Sequence, residues 1–155
     1  MSKTYRLAII ISLLSTLCIA HAFAANFDIK FGLMKKDSSG KYYVSDEITT
    51  IPLTYKDKDP DFRFGYSIKT APEQTFTTYM IMHTSAAFEK YTGEFKDAPK
   101  KEDGKTIQSP AKKAVAAFTY SLRFDRGDPP GQYKIDIWIN DQLTKSIDFT
   151  VTEAI

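Results

Sequence analysis

Three aspartates alternate with other residues in the sequence KDKDPD, a spacing that can place carboxylate oxygens around a calcium ion. Asp57, Asp59 and Asp61 match the first three ligand positions of the EF-hand loop. The rest of that loop is missing, because Phe62 replaces the glycine of its sharp turn and Ile68 replaces its bidentate glutamate. The alternating lysines favour a solvated acidic turn. The three aspartates are nevertheless the candidate ligands for Ca²⁺, and we expect no other cofactor.

The tripeptide Arg126-Gly127-Asp128 is one that adhesion receptors of animal cells recognise. It lies in a segment rich in aspartate, proline and glycine, which are residues that favour turns, so we expect it to be exposed. Two interpretations stay open. Arg126 and Asp128 could bind a receptor, or the tripeptide could be a turn sequence that arose by chance.

Trp138, the chain's one tryptophan, is out of phase with the apolar residues around it. The run from Tyr133 to Ile139 has apolar residues at alternate positions, so a strand that buries them turns Trp138 to the opposite face. An outward tryptophan could stack on a sugar ring or anchor a protein partner. Alternatively, the long segment 96–113 could fold over it. Tyr42 and Tyr43, on an earlier strand, are further candidates for binding.

The motifs of common hydrolases are missing from the chain. His83 is the one histidine outside the first 24 residues, and it lies in a predicted strand. A serine or cysteine nucleophile needs a histidine or lysine base that a third group orients. The chain also lacks a Gly-x-Ser-x-Gly elbow, a glycine-rich phosphate loop and a His-x-x-x-His pair. We therefore expect His83 to be a half-exposed strand residue and the protein not to be an enzyme.

Residues 1–24 have the three parts of a secretory signal peptide. Lys3 and Arg6 give the positive start, residues 7–20 form an apolar stretch, and Ala22-Phe23-Ala24 provides small residues at the cleavage positions. The apolar stretch is shorter than the roughly 20 residues that span a bilayer, which disfavours an uncleaved anchor. We expect cleavage after the last of these alanines and export to the periplasm or beyond the cell.

Cys18 is the one cysteine and would leave with the signal peptide. Leu17 before it disfavours a lipoprotein, because a small residue is expected there. The exported part, residues 25–155, then forms a single domain without disulfides whose stability comes from its core. It carries nineteen basic and nineteen acidic residues and no later stretch long enough to insert in a membrane. This balance disfavours binding to nucleic acid or to anionic membranes, which need clustered cations.

Period-two alternation dominates the exported part and predicts seven short strands. They lie at residues 27–33, 44–53, 62–68, 76–84, 118–124, 133–139 and 147–151. Pro52 places part of the second strand at a sheet edge. Short turn sequences separate the strands, as in sandwich folds. We predict an all-β, immunoglobulin-like antiparallel β-sandwich of seven or eight strands.

Two segments differ from this pattern. Residues 85–93 could form one or two helical turns, with Ser85 as the cap and Gly93 as the stop. Residues 96–113 are polar and rich in lysine and proline, which predicts a mobile loop on the surface. Within it, Ser109-Pro110 could start a short helix.

Several strand sequences together resemble an uncharacterised family of exported bacterial β-sandwich domains of unknown function. They are Phe62-Arg-Phe64-Gly65-Tyr66, the strand that ends at His83, and Pro130-Gly131-Gln-Tyr133-Lys-Ile135-Asp-Ile137-Trp138 followed by Phe149-Thr-Val151. The resemblance covers about residues 27–151. The family pattern has proline after the histidine, where this chain has Thr84. The resemblance implies an immunoglobulin-like fold and brings no established activity.

Because reactive groups are scarce and aromatic residues are prominent, the sequence favours a non-catalytic exported binding domain with a protein or glycan partner. The binding surface would be either the Trp138 face or the loops at residues 56–61 and 126–131. A protease inhibitor whose loops plug a cleft belongs to the same class. The alternative is an enzyme that acts on polysaccharide through two carboxylates, which would have to converge in a pocket.

Overall fold

The computed structural model describes residues 26–90, 95 and 103–153, and they form ten strands. The strands are β1 (Asp28–Lys36), β2 (Tyr42–Asp46), β3 (Thr50–Pro52), β4 (Phe64–Lys69), β5 (Thr75–Thr84), β6 (Thr106–Gln108), β7 (Lys112–Val115), β8 (Ala117–Leu122), β9 (Gly131–Ile139) and β10 (Gln142–Thr152). The predicted signal peptide, residues 1–24, lies outside the described residues. Within the described ranges, no helix has the length and apolarity needed to cross a bilayer.

The strands form two stacked layers, which confirms the predicted immunoglobulin-like sandwich. One layer has the order β2-β1-β4-β8, and the other has the order β7-β5-β9-β10-β3 with β6 also paired to β5. A residue pair between Val115 of β7 and Ala117 of β8 links the layers, and an isolated bridge between Tyr55 and Phe124 joins them again beyond the ends of β3 and β8. Every strand pair of the described chain is antiparallel except β3 with β10, which run parallel.

The core lies between the layers, and the long strands β5 and β9 contribute alternate residues to it. On β9 the odd-numbered positions from Tyr133 to Ile139 are buried, and on β5 the even-numbered positions from Phe76 to Thr84 are buried. Phe31 and Phe64 of one layer contact Phe149 of the other, with ring centroids 4.8 and 6.0 Å apart. Burying one large apolar side chain stabilises a fold by about 1.5–3 kcal/mol. A core of this kind can stabilise the domain without a disulfide bond.

Two glycines allow neighbouring strands of the first layer to approach closely. Gly32 of β1 and Gly65 of β4 are register partners, with φ angles of 155° and 148°. A Cβ on Gly65 would overlap the carbonyl oxygen of Tyr120, and a Cβ on Gly32 would overlap that of Asp46. A side chain at either position would therefore push neighbouring strands apart.

The predicted single strand 44–53 is wrong, because the structure divides it between the two layers. β2 pairs with β1, whereas β3 pairs with β10 on the opposite side of the core. Residues 47–49 carry the chain across. Pro52 does lie in an edge strand, as predicted. The division escapes the sequence pattern because no glycine or proline marks the crossing and the β-favouring residues Ile48 and Thr49 follow Glu47 directly.

The described part of segment 96–113 is also more ordered than predicted. It contains β6 and the first two residues of β7, and both strands pair with β5. Ser109 starts no helix; its N–H donates to the Met80 carbonyl at 2.9 Å, and its hydroxyl accepts the Met80 N–H at 3.0 Å. Of the predicted helical segment 85–93, residues 85–90 are described and are not helical. The remainder, like residues 96–102, lies outside the described residues.

Candidate binding face and end loops

The outer face of the layer that contains β5, β9 and β10 carries three apolar side chains in one row. Strand register pairs Tyr79 of β5 with Trp138 of β9, and Trp138 with Leu143 of β10. We call Tyr79, Trp138 and Leu143 the aromatic strip. Trp138 faces outward, as its position in the alternation predicts, because its neighbours in sequence fill the core.

The two rings of the aromatic strip stack on each other. The ring planes of Tyr79 and Trp138 lie 6° from parallel, with centroids 5.9 Å apart. Both side chains are half-buried, and Leu143 beside them is 52% exposed. The indole Nε1 is buried and meets no hydrogen-bond partner among the described residues. The strip therefore presents apolar edges to solvent rather than a polar handle.

Beside the aromatic strip, Asp136 holds three polar side chains together. The Ser146 hydroxyl donates to Asp136 Oδ1 at 2.6 Å, while His83 Nε2 and Lys134 Nζ lie 3.0 and 3.2 Å from Oδ2. Burial raises the pKa of Asp136, but the hydrogen bonds from Ser146, Lys134 and His83 outweigh it and hold the pKa below its ordinary value. His83 is half-exposed in its strand, as expected.

This polar network has the residue types of a catalytic triad in a different order. In a triad the histidine lies between the serine and the aspartate, so that it can take the hydroxyl proton. Here Asp136 lies between Ser146 and His83, and the hydroxyl donates to the carboxylate. The arrangement orients side chains on the sheet face.

The two loops that the sequence singles out are tied to each other by ion pairs. Arg126 Nε donates to Asp57 Oδ2 at 2.8 Å, and Lys56 Nζ lies 2.6 Å from Asp125 Oδ1. The Arg126 guanidinium also lies over the Tyr55 ring, 5.7 Å from its centroid. The loop charges are thus largely neutralised by one another.

The Arg126-Gly127-Asp128 tripeptide presents one of its two charged groups. Arg126 is exposed, as predicted, although paired with Asp57. Asp128 instead turns inward, where its Oδ2 accepts the Asp125 N–H at 2.7 Å. Burial is the largest influence on this carboxyl and raises its pKa to about 6. The expectation of a fully exposed tripeptide is therefore wrong for Asp128, because the side chain caps its own turn.

The candidate calcium ligands have separate partners. Asp57 pairs with Arg126, and Asp59 Oδ1 accepts the backbone N–H groups of Asp61 and the next residue at 2.9 and 3.1 Å. Asp61 lies 3.6 Å from Lys36 Nζ. Across the described ranges, no group of three or more His, Cys, Asp or Glu side chains is placed to hold a metal ion. This geometry gives the predicted calcium site no support.

Tyr42 and Tyr43 point to different surroundings on β2. Tyr42 lies between two cations, with Lys36 Nζ 5.3 Å and the Arg63 guanidinium carbon 5.5 Å from its ring centroid. Tyr43 is 46% exposed. The structure places both on the other layer of the sandwich, apart from the aromatic strip.

A small cavity at the loop end brings two carboxylates together. Asp125 and Asp128 line it with apolar residues that include Phe64, Phe88 and Phe124, and its volume is about 60 Å³. A cavity that binds benzene measures about 150 Å³. A sugar ring does not fit here, so the cavity gives the carboxylate-enzyme alternative no support.

Three parts of this arrangement lie beyond sequence reasoning. Alternation places Tyr79 and Trp138 outward on their own strands, but only the register of β5 with β9 makes them neighbours. Leu143 escapes notice because it follows a turn and precedes a bulge between Leu143 and Lys145. No local signal joins Asp136 to His83, which is 53 residues away.

Comparison with known proteins agrees with this fold. The family model described as the PM0630 beta sandwich domain matches residues 29–152, which is most of the chain. The chain belongs to the PM0630 beta sandwich domain family. This membership bears out the predicted resemblance to a β-sandwich family. None of the curated proteins matches the chain.

Solved structures similar to this PM0630-family domain show the fold alone. An immunoglobulin-like protein from Pseudomonas aeruginosa has a TM-score of 0.51 at 13% identity, over 83% of this chain and 94% of that one. A β-glucosidase from Listeria innocua has a TM-score of 0.40 at 8% identity, over 85% of this chain but 17% of that one. The alkylpurine DNA glycosylase AlkC of Pseudomonas fluorescens has a TM-score of 0.33 at 12% identity, over 79% of this chain and 30% of that one. The last two likenesses carry no functional argument.

Proposed function

We propose that this protein is an exported, non-catalytic binding domain that holds a protein partner on its aromatic strip. The observation that carries the proposal is the outward pair of stacked rings, Tyr79 and Trp138, with the exposed Leu143 beside them. Large aromatic side chains of this kind anchor protein interfaces, and energetically important positions are enriched in tryptophan and tyrosine. Export of the domain rests on the signal-like residues 1–24.

A protein partner fits the strip better than a glycan does. Sugar rings stack on an open aromatic face, but Tyr79 and Trp138 each cover one face of the other. The register partner of Trp138 on its far side is Leu143. Apolar ring edges and an exposed leucine complement an aliphatic or aromatic side chain of a protein partner.

The strip is also a better candidate than the end loops. Arg126 and Asp57 satisfy each other, and so do Lys56 and Asp125. A partner would have to break those pairs before it could use the charges. On the sheet face, the polar network around Asp136 borders the strip and can form a polar rim around an apolar centre.

Photo-crosslinking in the organism that makes the protein tests this proposal. A photoreactive amino acid replaces Leu143 in one strain and Val115 in another, because both side chains are exposed, at 52% and 57%, and they lie on different parts of the sandwich. We expect a discrete protein adduct from position 143, and we expect that adduct to be absent when the photoreactive residue is at position 115. Trp138→Ala, combined with the photoreactive residue at position 143, should reduce that adduct.

Three results would contradict the proposal. They are no adduct at position 143, the same adducts at both positions, or an adduct at 143 that survives Trp138→Ala in a protein shown to be folded. Tyr79→Ser provides a second variant if the first fails to fold. Specific binding to arrayed glycans that Trp138→Ala abolishes would instead favour the glycan alternative.

A further inference from the structure

The outer edge of β10 is open beside the aromatic strip. β10 spans Gln142–Thr152 and pairs with β9 along most of its length. On its other side, the strand that the structure describes is β3, and it pairs with Thr150–Thr152. The edge before Thr150 therefore has main-chain groups that no described strand uses.

The pairing with β3 shows which main-chain groups face this open edge. The Thr150 N–H donates to the Thr49 carbonyl, and the Thr152 carbonyl accepts the Leu53 N–H, both at 2.8 Å. Alternate residues of a strand point their N–H and C=O groups to the same side. Ser146 and Asp148 therefore aim theirs at the open edge, in line with those of Thr150.

A slot of about 400 Å³ lies along this edge. Residues 145–148 of β10 form one wall, and Phe31 with residues 47–49 forms the others, so that apolar and polar side chains both line the slot. Because β3 lies at the end of the slot and is already paired to β10, a segment in the slot would continue the line of β3. Main-chain donors and acceptors that no described strand uses, next to a groove with apolar side chains in its walls, form a surface that an extended peptide can recognise.

Two features protect part of the edge from such pairing. A bulge interrupts the register between Leu143 and Lys145, and Lys145 Nζ reaches across to the Ile29 carbonyl at 2.7 Å. Bulges and inward-pointing charges are known protections of edge strands. Both lie before Ser146, so the stretch from Ser146 to Phe149 remains regular and available.

We propose that the protein partner binds by adding an extended segment to β10 along Ser146–Phe149. This inference rests on the proposed function and names its mode of binding. Side chains of the added strand that point outward would extend the sheet face that holds Leu143 and Trp138. Side chains that point inward would lie near Ile147 and Phe31. The partner is therefore an extended polypeptide with apolar residues on both faces.

Proline at position 148 separates strand addition from other modes of binding. Asp148→Pro removes an N–H group that pairs with no described strand, and edge strands accept proline where the N–H faces away from the sheet. Asp148→Ala is the matched control, because it removes the same carboxylate but keeps the N–H. Trp138→Ala tests the aromatic strip in the same assay. Urea unfolding checks that each variant is folded.

The probe is a library of random peptides displayed on phage, selected on the protein purified as cells process it from the full chain. We expect selected peptides to bind the wild type and Asp148→Ala within about threefold of each other, and Asp148→Pro about tenfold or more weakly, as expected for loss of main-chain hydrogen bonds. Amide hydrogen exchange at Ser146 and Asp148 should slow when the peptide binds.

Unchanged binding to Asp148→Pro, unchanged exchange at these amides, or failure to select any peptide would overturn strand addition. If Trp138→Ala abolishes binding and Asp148→Pro does not, the aromatic strip stands and strand addition falls. If Asp148→Pro abolishes binding and Trp138→Ala does not, strand addition stands and the aromatic strip falls.

Discussion

Replacing Asp128 by asparagine should stabilise the protein at neutral and alkaline pH. Burial raises the pKa of this carboxyl to about 6, against a reference value of 3.8. The Asp125 N–H and Lys56 act in the opposite direction but do not outweigh burial. Asparagine keeps an oxygen that can accept the Asp125 N–H and removes the charge that burial disfavours.

The sign of the effect follows from where the proton binds more tightly. The folded protein holds the Asp128 proton to a higher pH than the unfolded chain does. The contribution of this protonated carboxyl to the stability of the fold is therefore complete below about pH 4 and is lost as the pH rises through about 6. A shift of two pKa units corresponds to about 3 kcal/mol. Because the side chain is only partly buried, we expect a gain of roughly 1–3 kcal/mol from Asp128→Asn above the folded-state pKa.

Urea unfolding at about pH 4 and about pH 8 measures this gain. Asp148→Asn on an exposed part of β10 is the control, because it removes a carboxylate without changing a buried one. Asp128→Asn should raise the free energy of unfolding at the higher pH and leave it nearly unchanged at the lower. An equal effect at both pH values, or a loss of stability at the higher one, would refute the argument from burial.

Two further substitutions test the packing and the hydrogen bonding of the sandwich. Gly65→Ala should prevent folding or lower the free energy of urea unfolding by more than about 3 kcal/mol, because the added Cβ would overlap the Tyr120 carbonyl. The control is Gly40→Ala, where nothing lies within 4 Å of the added Cβ, and it should cost about 1 kcal/mol. Equal costs for the two substitutions would contradict the close approach of the strands at Gly65. Tyr133→Phe should lower the free energy of unfolding by about 1–3 kcal/mol, because the tyrosine hydroxyl donates to the Pro129 carbonyl at 2.6 Å and the carbonyl loses this donor in the variant. Thermal unfolding at the wild-type temperature would contradict this role of the hydroxyl.

The sequence predicts the strands that border the core well, because their side chains alternate. The runs around Met80 and Ile135 follow period two and end at turns, and alternate positions of both strands are buried in the structure. The run around Tyr66 is a strand as predicted, but all of its residues from Phe64 to Ile68 are buried. The turn at Asn140-Asp141 is also correct. Both residues have positive φ, 50° and 61°, which a tight hairpin between two strands requires and which Asn and Asp tolerate.

The two layers' edges are less predictable, because side-chain burial leaves little pattern there. The sequence of β7 begins with two lysines, which the structure leaves exposed, so it resembles the sequence of a loop. The crossing at residues 47–49 is hidden for a different reason, since no glycine or proline interrupts the sequence there and β-favouring residues resume at Ile48. Such choices depend on which strand accepts the backbone hydrogen bonds, and that partner lies far away in sequence.

The candidate site depends on the same long-range pairing. Phase alone turns Trp138 outward, but register decides that Tyr79 stacks on it and that Leu143 lies beside it. Likewise, the turn sequence predicts exposure for Arg126 correctly and for Asp128 incorrectly, because a local hydrogen bond draws the second side chain inward.

The most direct test of partner binding at the aromatic strip uses the protein's own fluorescence. Trp138 is the one tryptophan of the chain, so all of the indole emission comes from the strip. When a tryptophan-free partner segment, identified from the adduct at Leu143, is added, we predict a shift of the emission to shorter wavelength and a loss of quenching by acrylamide. A segment that binds with the same affinity but leaves both emission and quenching unchanged would show that the strip is not where the partner binds.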